Sequence, residues 1–179
     1  MFVVFRKPLV EGEGQAVAQS IRRIPFDVKE WNVHFNTLNK DIQLTALTDW
    51  TKSADEQIRY YSGTAVYKSE FKWNPGKSEE GSRIYLELGE LHDVALIRIN
   101  GKECGIVWTA PYEVEVTGVL EKGKNTIEIE VVNTWANALL GSDTGKAPFS
   151  GIWTNAKYRR ADKELIPAGL VGPLKWKLV

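Results

Sequence analysis

The chain has 179 residues, with 23 basic and 23 acidic side chains balancing to a net charge of zero and an isoelectric point of about 6.8. The lone cysteine, Cys104, excludes an internal disulfide and any multi-cysteine metal site. No long basic run offers a nucleic-acid or anionic-membrane surface, and no window approaches the ~18 uninterrupted apolar residues of a membrane span.

The length suits one domain, or one domain with a small appendage. Seven Trp, six Tyr and six Phe supply 11% of the chain, and fifteen Gly against one Met point to strands and turns. Met1 is followed at once by the apolar run Phe2–Phe5 and then by Arg6 and Lys7. That run is too short for a signal peptide, and its charges lie on the wrong side. It reads as a strand, so residues 1–22 are expected to be a strand and connector, the tail of a preceding module, with Met1 added to a piece of a longer protein. A single domain is expected over 23–179.

Trp31–Phe35 alternates with a period of two and reads as a strand. Ile42, Leu44 and Ala46 continue the pattern on one face. A single short helix is expected near residues 51–60, capped by Thr51 or Ser53, with Asp55 and Glu56 in its first turn. Beyond Thr64 the chain is strand-like almost throughout. Ala65, Tyr67, Ser69 and Phe71 share a face, then Ile84, Leu86 and Leu88, then Ala95, Ile97 and Ile99. Asn74-Pro75-Gly76 and Gly123-Lys124-Asn125 are expected turns. Asn100-Gly101 between two apolar runs is a hairpin signal, because both residues tolerate positive φ. Cys104 and Ile106 are expected to point inward from the return strand. Tyr112, Val114 and Val116, then Ile127, Ile129 and Val131, and finally Leu174, Trp176 and Leu178 repeat the alternation.

Strands with one apolar and one charged face belong to antiparallel sheets wet on one side, and two such sheets cover each other. About eight to ten strands with closely spaced turns indicate an all-β, antiparallel two-sheet β-sandwich, most simply a jelly roll, with one short helix. Residues 134–155 break the pattern. A stretch of this length with Trp135, Leu139, Leu140, Phe149 and Trp153 reads as an ordered excursion over one end or edge of the sandwich.

Catalytic motifs are missing. His34 and His92 are far apart, and neither a phosphate-binding Gly-Lys-Ser/Thr loop nor a Gly-x-Ser-x-Gly elbow occurs. Glu113 with Glu115, and Glu128 with Glu130, have a spacing that glycoside hydrolysis could use. Alternation places them on a wet face, where nothing raises a carboxyl pKa for general-acid work. Glu87, Glu90 and Asp93 gather near a strand end, but Asp93 more simply serves a turn. No cofactor is indicated; a structural calcium ion is left open. Arg159 and Arg160 form a short solvated pair.

The aromatics are the richer signal. Trp and Tyr planes stack on the C–H faces of sugars while Asn, Asp and Arg bond the hydroxyls. Trp31, Trp50, Trp73 and Trp176 read as core. Trp108, Tyr112, Trp135, Asn137, Asp143 and Trp153 are the candidate carbohydrate-binding residues, with loop packing as the competing role for the tryptophans. No catalytic or metal-binding residue is assigned.

The stretches Tyr60–Phe71 and Leu86–Lys102, then Gly105, Pro111-Tyr112 and Gly123–Val131, follow in an order that resembles the galactose-binding-like, jelly-roll domain of glycoside hydrolase family 2. Asn133–Gly141 with Gly151-Ile152-Trp153 is similar to the C-terminal module of rhamnosidase-like glycoside hydrolases of Bacteroides-type bacteria. The resemblance covers roughly residues 45–179. It implies a parent enzyme that is periplasmic or secreted and whose catalytic acids lie in another domain. It also implies that this chain is a non-catalytic accessory module partnered by carbohydrate, by the catalytic domain, or by both. The alternatives are a purely structural bracing module and a free-standing glycoside hydrolase.

Overall fold

The computed structural model describes residues 21–76, 81–155 and 164–179. The expected strand Phe2–Phe5 and the pair Arg159-Arg160 lie outside these residues. Two antiparallel sheets dominate. One has six strands in the order β3 (Lys40–Leu44), β2 (Trp31–Phe35), β4 (Thr64–Trp73), β10 (Gly123–Val132), β7 (Val94–Ile99), β8 (Lys102–Val107). The other has four, in the order β1 (Arg22–Pro25), β12 (Lys175–Leu178), β5 (Ile84–Glu87), β9 (Glu113–Glu115). A third, short pair joins β6 (Glu90–His92) to β11 (Gly169–Gly172).

The period-two alternation decides what is buried. On β4 the odd residues Ala65 to Trp73 point into the sandwich and the even ones point out. β10 registers directly against it, Ile129 opposite Tyr67 and Ile127 opposite Ser69. The opposing sheet contributes Leu86, Trp176 and Leu178. The two layers meet through aromatic contacts: Trp176 lies 5.4 Å from Phe71 and 5.2 Å from Trp73, centroid to centroid. Each large apolar side chain withdrawn from water contributes roughly 1.5–3 kcal/mol. The four strand and strand-end tryptophans Trp31, Trp50, Trp73 and Trp176 are all buried, as expected for core.

The hairpin at Asn100-Gly101 forms as its sequence predicts, with φ of 52° and 74°, both positive as a type I′ turn requires. The Asn100 amide nitrogen donates to the Val119 carbonyl and to the Asn125 side-chain oxygen, at 3.0 and 2.8 Å.

Five expectations need correcting. Cys104 and Ile106 do not point inward together. The β7–β8 register slips between Ile97 and Arg98, so that Ile97 faces Gly105 while Arg98 faces Glu103. Cys104 is the extra residue of a bulge. The inward positions fall on Gly105 and Val107, Cys104 is half-buried, and Ile106 is 60% exposed.

Gly123–Asn125 is not a turn but the opening of β10, paired with Trp73, Lys72 and Phe71. Asn125 is buried there because its amide pairs with the backbone of Glu121 in both directions, as a neighbouring strand would. Ala46 lies beyond β3 and is exposed.

The helix near residue 55 is α1 (Glu56–Arg59), preceded by a 3-10 turn at Trp50–Lys52. Their caps are not Thr51 or Ser53: the Asp49 side chain accepts from Thr51 N–H and the Asp55 side chain from Gln57 N–H. Hydrogen bonding to Lys40 holds the Asp55 carboxyl below its ordinary range.

Finally, there is a second helix. The excursion after β10 opens with α2 (Ala136–Asp143). Its N-terminal residue Trp135 makes no side-chain cap. The buried Ser62 hydroxyl, brought in from another segment, accepts the Ala138 N–H at 3.1 Å instead.

Candidate functional site at the tryptophan end of the sheet

Strand register fixes which loops are neighbours. Val107 of β8 and Val131 of β10 both stand opposite Ala95 of β7, and Val132 stands opposite Val94 and Thr64. The chain therefore leaves β8 toward Trp108, and leaves β10 toward Trp135, at the same end of the six-stranded sheet. Trp108 is 71% exposed and Trp135 56% exposed. Between them most outward-pointing side chains are apolar, with Glu130 opposite Leu96 the exception: Val94 and Val132 face each other on adjacent strands, and Leu96 faces Ile106. Val94, Val132 and Ile106 are exposed. A soluble domain seldom leaves aliphatic and indole surface together in this way without a partner.

Polar bonds hold this end in place. Asn133 is buried; its side-chain oxygen accepts Gly63 N–H at 2.9 Å and its nitrogen donates to the Tyr61 carbonyl at 3.0 Å. Asp93 accepts the Thr134 N–H at 3.0 Å, so its side chain ties the end of β10 to β7 from afar instead of closing a local turn. Trp135 packs edge-on against Phe149 at 6.1 Å, and Phe149 in turn meets the buried Tyr61 at 6.4 Å. The excursion is thus pinned to the core by aromatic contacts, while a large part of the Trp135 ring still faces solvent.

The candidate carbohydrate-binding residues fall into distinct settings. Trp108 and Trp135 flank one apolar strip. Trp153 is 81% exposed and follows Ile152, whose carbonyl accepts the Ser142 hydroxyl of α2 at 3.1 Å. Asp143 is exposed at the end of α2. Tyr112 is half-buried and packs against the core. Asn137 is buried, and its amide clamps Ile166 in both directions, at 2.7 and 2.8 Å. Ser62 and Asn133, which organise this end, carried no sequence signal of their own beyond buried polar positions near Tyr61.

Several of the carboxylates have basic partners. Lys177 binds both oxygens of Glu113 at 2.9 Å. Arg23 binds Glu87 at 2.9 Å, and His92 lies 2.9 Å from Glu90. Glu128 is bonded by Lys68 at 3.0 Å and Arg98 at 2.8 Å, and Arg98 also reaches Glu130 at 3.5 Å. Those contacts, Lys68 first, hold the Glu128 carboxyl below its usual range, the reverse of what a general acid requires. Among the described residues no group of three or more His, Cys, Asp or Glu side chains is gathered to hold a metal ion. No described helix is long and apolar enough to cross a membrane.

A rhamnosidase from Novosphingobium sp. PP1Y has a structure similar to this chain. It is 34% identical, with a TM-score of 0.81, over 98% of this chain and 17% of its own. A protein of Formosa agariphila with a provisional beta-glucuronidase assignment is 28% identical over 90% of this chain and 16% of its own length. A beta-D-glucuronidase from Dictyoglomus thermophilum shares the fold, with 16% identity and a TM-score of 0.58 over 92% of this chain and 29% of that one. The chain therefore spans 16–17% of the rhamnosidase and of the Formosa protein. The model of the glycosyl hydrolase 2 galactose-binding domain-like family matches residues 28–162, three quarters of the sequence, and the chain belongs to that family.

Proposed function

We propose that this chain is a non-catalytic accessory module of a larger, exported glycoside hydrolase, and that it docks on a neighbouring domain through the tryptophan end of its six-stranded sheet. One observation carries the reading: Trp108 and Trp135 are exposed at the end of the sheet where Val94, Val132 and Ile106 also face outward. Aliphatic side chains offer no directional bonds to a hydroxyl-rich ligand, but they complement the apolar face of another domain. The small share of its relatives that the chain spans supplies such neighbours in those proteins. The pairing of Glu113, Glu128 and Glu130 with cations supports a module without catalysis of its own.

Binding of the dye ANS tests the docking surface. The chain should enhance the dye's fluorescence, and the triple variant Ile106→Ser, Trp108→Ser, Val132→Thr should lose most of that signal while melting at the same temperature. A wild-type chain that leaves the dye dark would refute the docking surface.

A second reading has its own support. Trp153 is 81% exposed, and the residue before it is bonded by Ser142, the neighbour in sequence of the exposed Asp143; a flat ring with polar groups nearby is the combination a sugar platform uses. On a glycan array this reading expects a signal that falls in the Trp153→Ala and Trp135→Ala variants. A blank array for the wild type removes it.

A further inference from the structure

The outer face of the six-stranded sheet changes character along its length. The rows at the tryptophan end are largely apolar, with His34 and Glu130 the exceptions, whereas those at the opposite end are built of ions and amides. One row crosses four strands as Asn32, Lys68, Glu128 and Arg98, each directly opposite the next. Four strands at their usual spacing make that row ~14 Å wide. The next row adds Glu70 opposite Thr126, and the last pairs Lys72 with Lys124. The segment Asp27–Glu30 rises along one side and closes the face into an open groove of about 1040 Å³. Its backbone is fixed from below, where the buried Ser69 hydroxyl donates to the Glu30 carbonyl at 2.6 Å.

The chemistry of the lining narrows the ligand. Five cations border the groove: Lys29, Lys68, Lys72, Arg98 and Lys124. Four carboxylates offset them: Asp27, Glu30, Glu70 and Glu128. Several are already joined, Lys124 to Glu70 at 2.8 Å and Glu128 to both Lys68 and Arg98. A surface so nearly balanced holds no particular attraction for a polyanion. The strands of the floor are paired on both sides, so no free edge can accept an extended peptide. What remains is a dense field of fixed donors and acceptors. Each ion in it has spare bonding capacity, since a carboxylate offers about four acceptor sites and an ammonium three donors.

We infer that this groove is a binding site for a neutral oligosaccharide, lying across the row Asn32–Lys68–Glu128–Arg98, with ring hydroxyls bridging neighbouring cation, carboxylate and amide groups. The volume suits several linked rings rather than one sugar, since pockets for ligands of drug size run to about 300–1,000 Å³. The site lies at the opposite end of the sheet from Trp108 and Trp135 and does not depend on what covers them.

The test is an amide-resolved NMR titration of the 179-residue chain with cellohexaose, xylohexaose, mannohexaose and galactohexaose, each at millimolar concentration. At least one sugar should shift the amides of Asn32, Lys68, Thr126 and Glu128. Asn32→Ala should weaken that sugar about fivefold, as loss of one hydrogen bond implies. Lys175→Ala, on the other sheet, should bind as the wild type does, and both variants should melt with it. The inference fails if none of the four sugars moves these amides. It fails equally if shifts appear only around Trp108, Trp135 and Trp153, which would favour the sugar platform, or if Asn32→Ala and Lys68→Ala together leave the affinity unchanged.

Discussion

The indole N–H of Trp50 donates to the hydroxyl oxygen of Tyr67 at 2.6 Å, inside the sandwich where both side chains are buried. The same hydroxyl accepts the Leu170 N–H at 3.4 Å, so one oxygen ties the 3-10 turn, β4 and β11 together. Tyr67→Phe keeps the ring and strands two buried donors. The expected loss is about 1–3 kcal/mol in urea unfolding. Burial also pushes the Tyr67 hydroxyl up to about 12. A raised phenol favours the folded state while it keeps its proton. That contribution is complete below the unfolded value near 10 and is lost as pH rises through the folded one. Alkaline unfolding should therefore be shallower in Tyr67→Phe than in the wild type.

Gly169 lies under the same indole. A Cβ there would collide with the Trp50 ring at its nitrogen, and φ is 93°. Gly169→Ala combines a left-handed backbone with an overpacked core, so a loss of ~3 kcal/mol is expected. Near-ultraviolet circular dichroism should report the displaced indole. A variant as stable as the wild type would contradict the packing described.

Glu128→Gln removes the charge that Lys68 and Arg98 share. All three side chains are partly solvated, so the loss at neutral pH should be modest, ~0.5–1 kcal/mol. The sign of the pH dependence follows from the depressed carboxyl. Its stabilisation is present above the unfolded carboxyl value near 4.3 and disappears as pH falls through the lower folded value. Wild type and variant should converge in stability as pH falls from the unfolded value through the lower folded one. Chemical denaturation at several pH values checks this.

Partial burial, reinforced by the charge of Glu103, raises the Cys104 thiol above its ordinary range. Its thiolate is scarce at neutral pH, so reaction with Ellman's reagent should be slower than that of glutathione. The rate should climb only at pH values above the ~8.5 of a free thiol. Faster reaction than glutathione at pH 7 would show the bulge to be more open than described.

Most of the sandwich was legible because period-two alternation is a local code. Ala65–Phe71, Ala95–Ile99 and Leu174–Leu178 each state their buried face in their own residues. The failures arose where the deciding partner is remote in sequence. Nothing between Gly101 and Val107 announces that β8 holds one residue more than its neighbour requires, yet that residue turns Ile106 outward. The sequence Trp135–Asp143 lacks an N-cap, and its first turn is completed by Ser62. Asn125, Asn133 and Asn137 look like turn or ligand residues, whereas each lends its amide to a backbone segment as a substitute strand would. Among the site candidates, a place in loops leaves Trp108, Trp135 and Trp153 open to packing as much as to exposure, and the structure exposes all three. The aliphatic strip beside two of them, and the polar groove at the far end, emerge only once strand register sets residues of β4, β10 and β7 side by side.

The pairing of β1 with β12, Arg22 opposite Leu178 and Pro25 opposite Lys175, joins nearly the first described strand to the last. β12 in turn is what connects β1 to the rest of its sheet. Among the described strands β12 is the neighbour of β1, and it is made only some 150 residues later. Closing so long a loop is slow. The nascent domain must therefore hold β1 apart from β12 until that strand is made, a period in which a holdase or a quick six-stranded half would matter most.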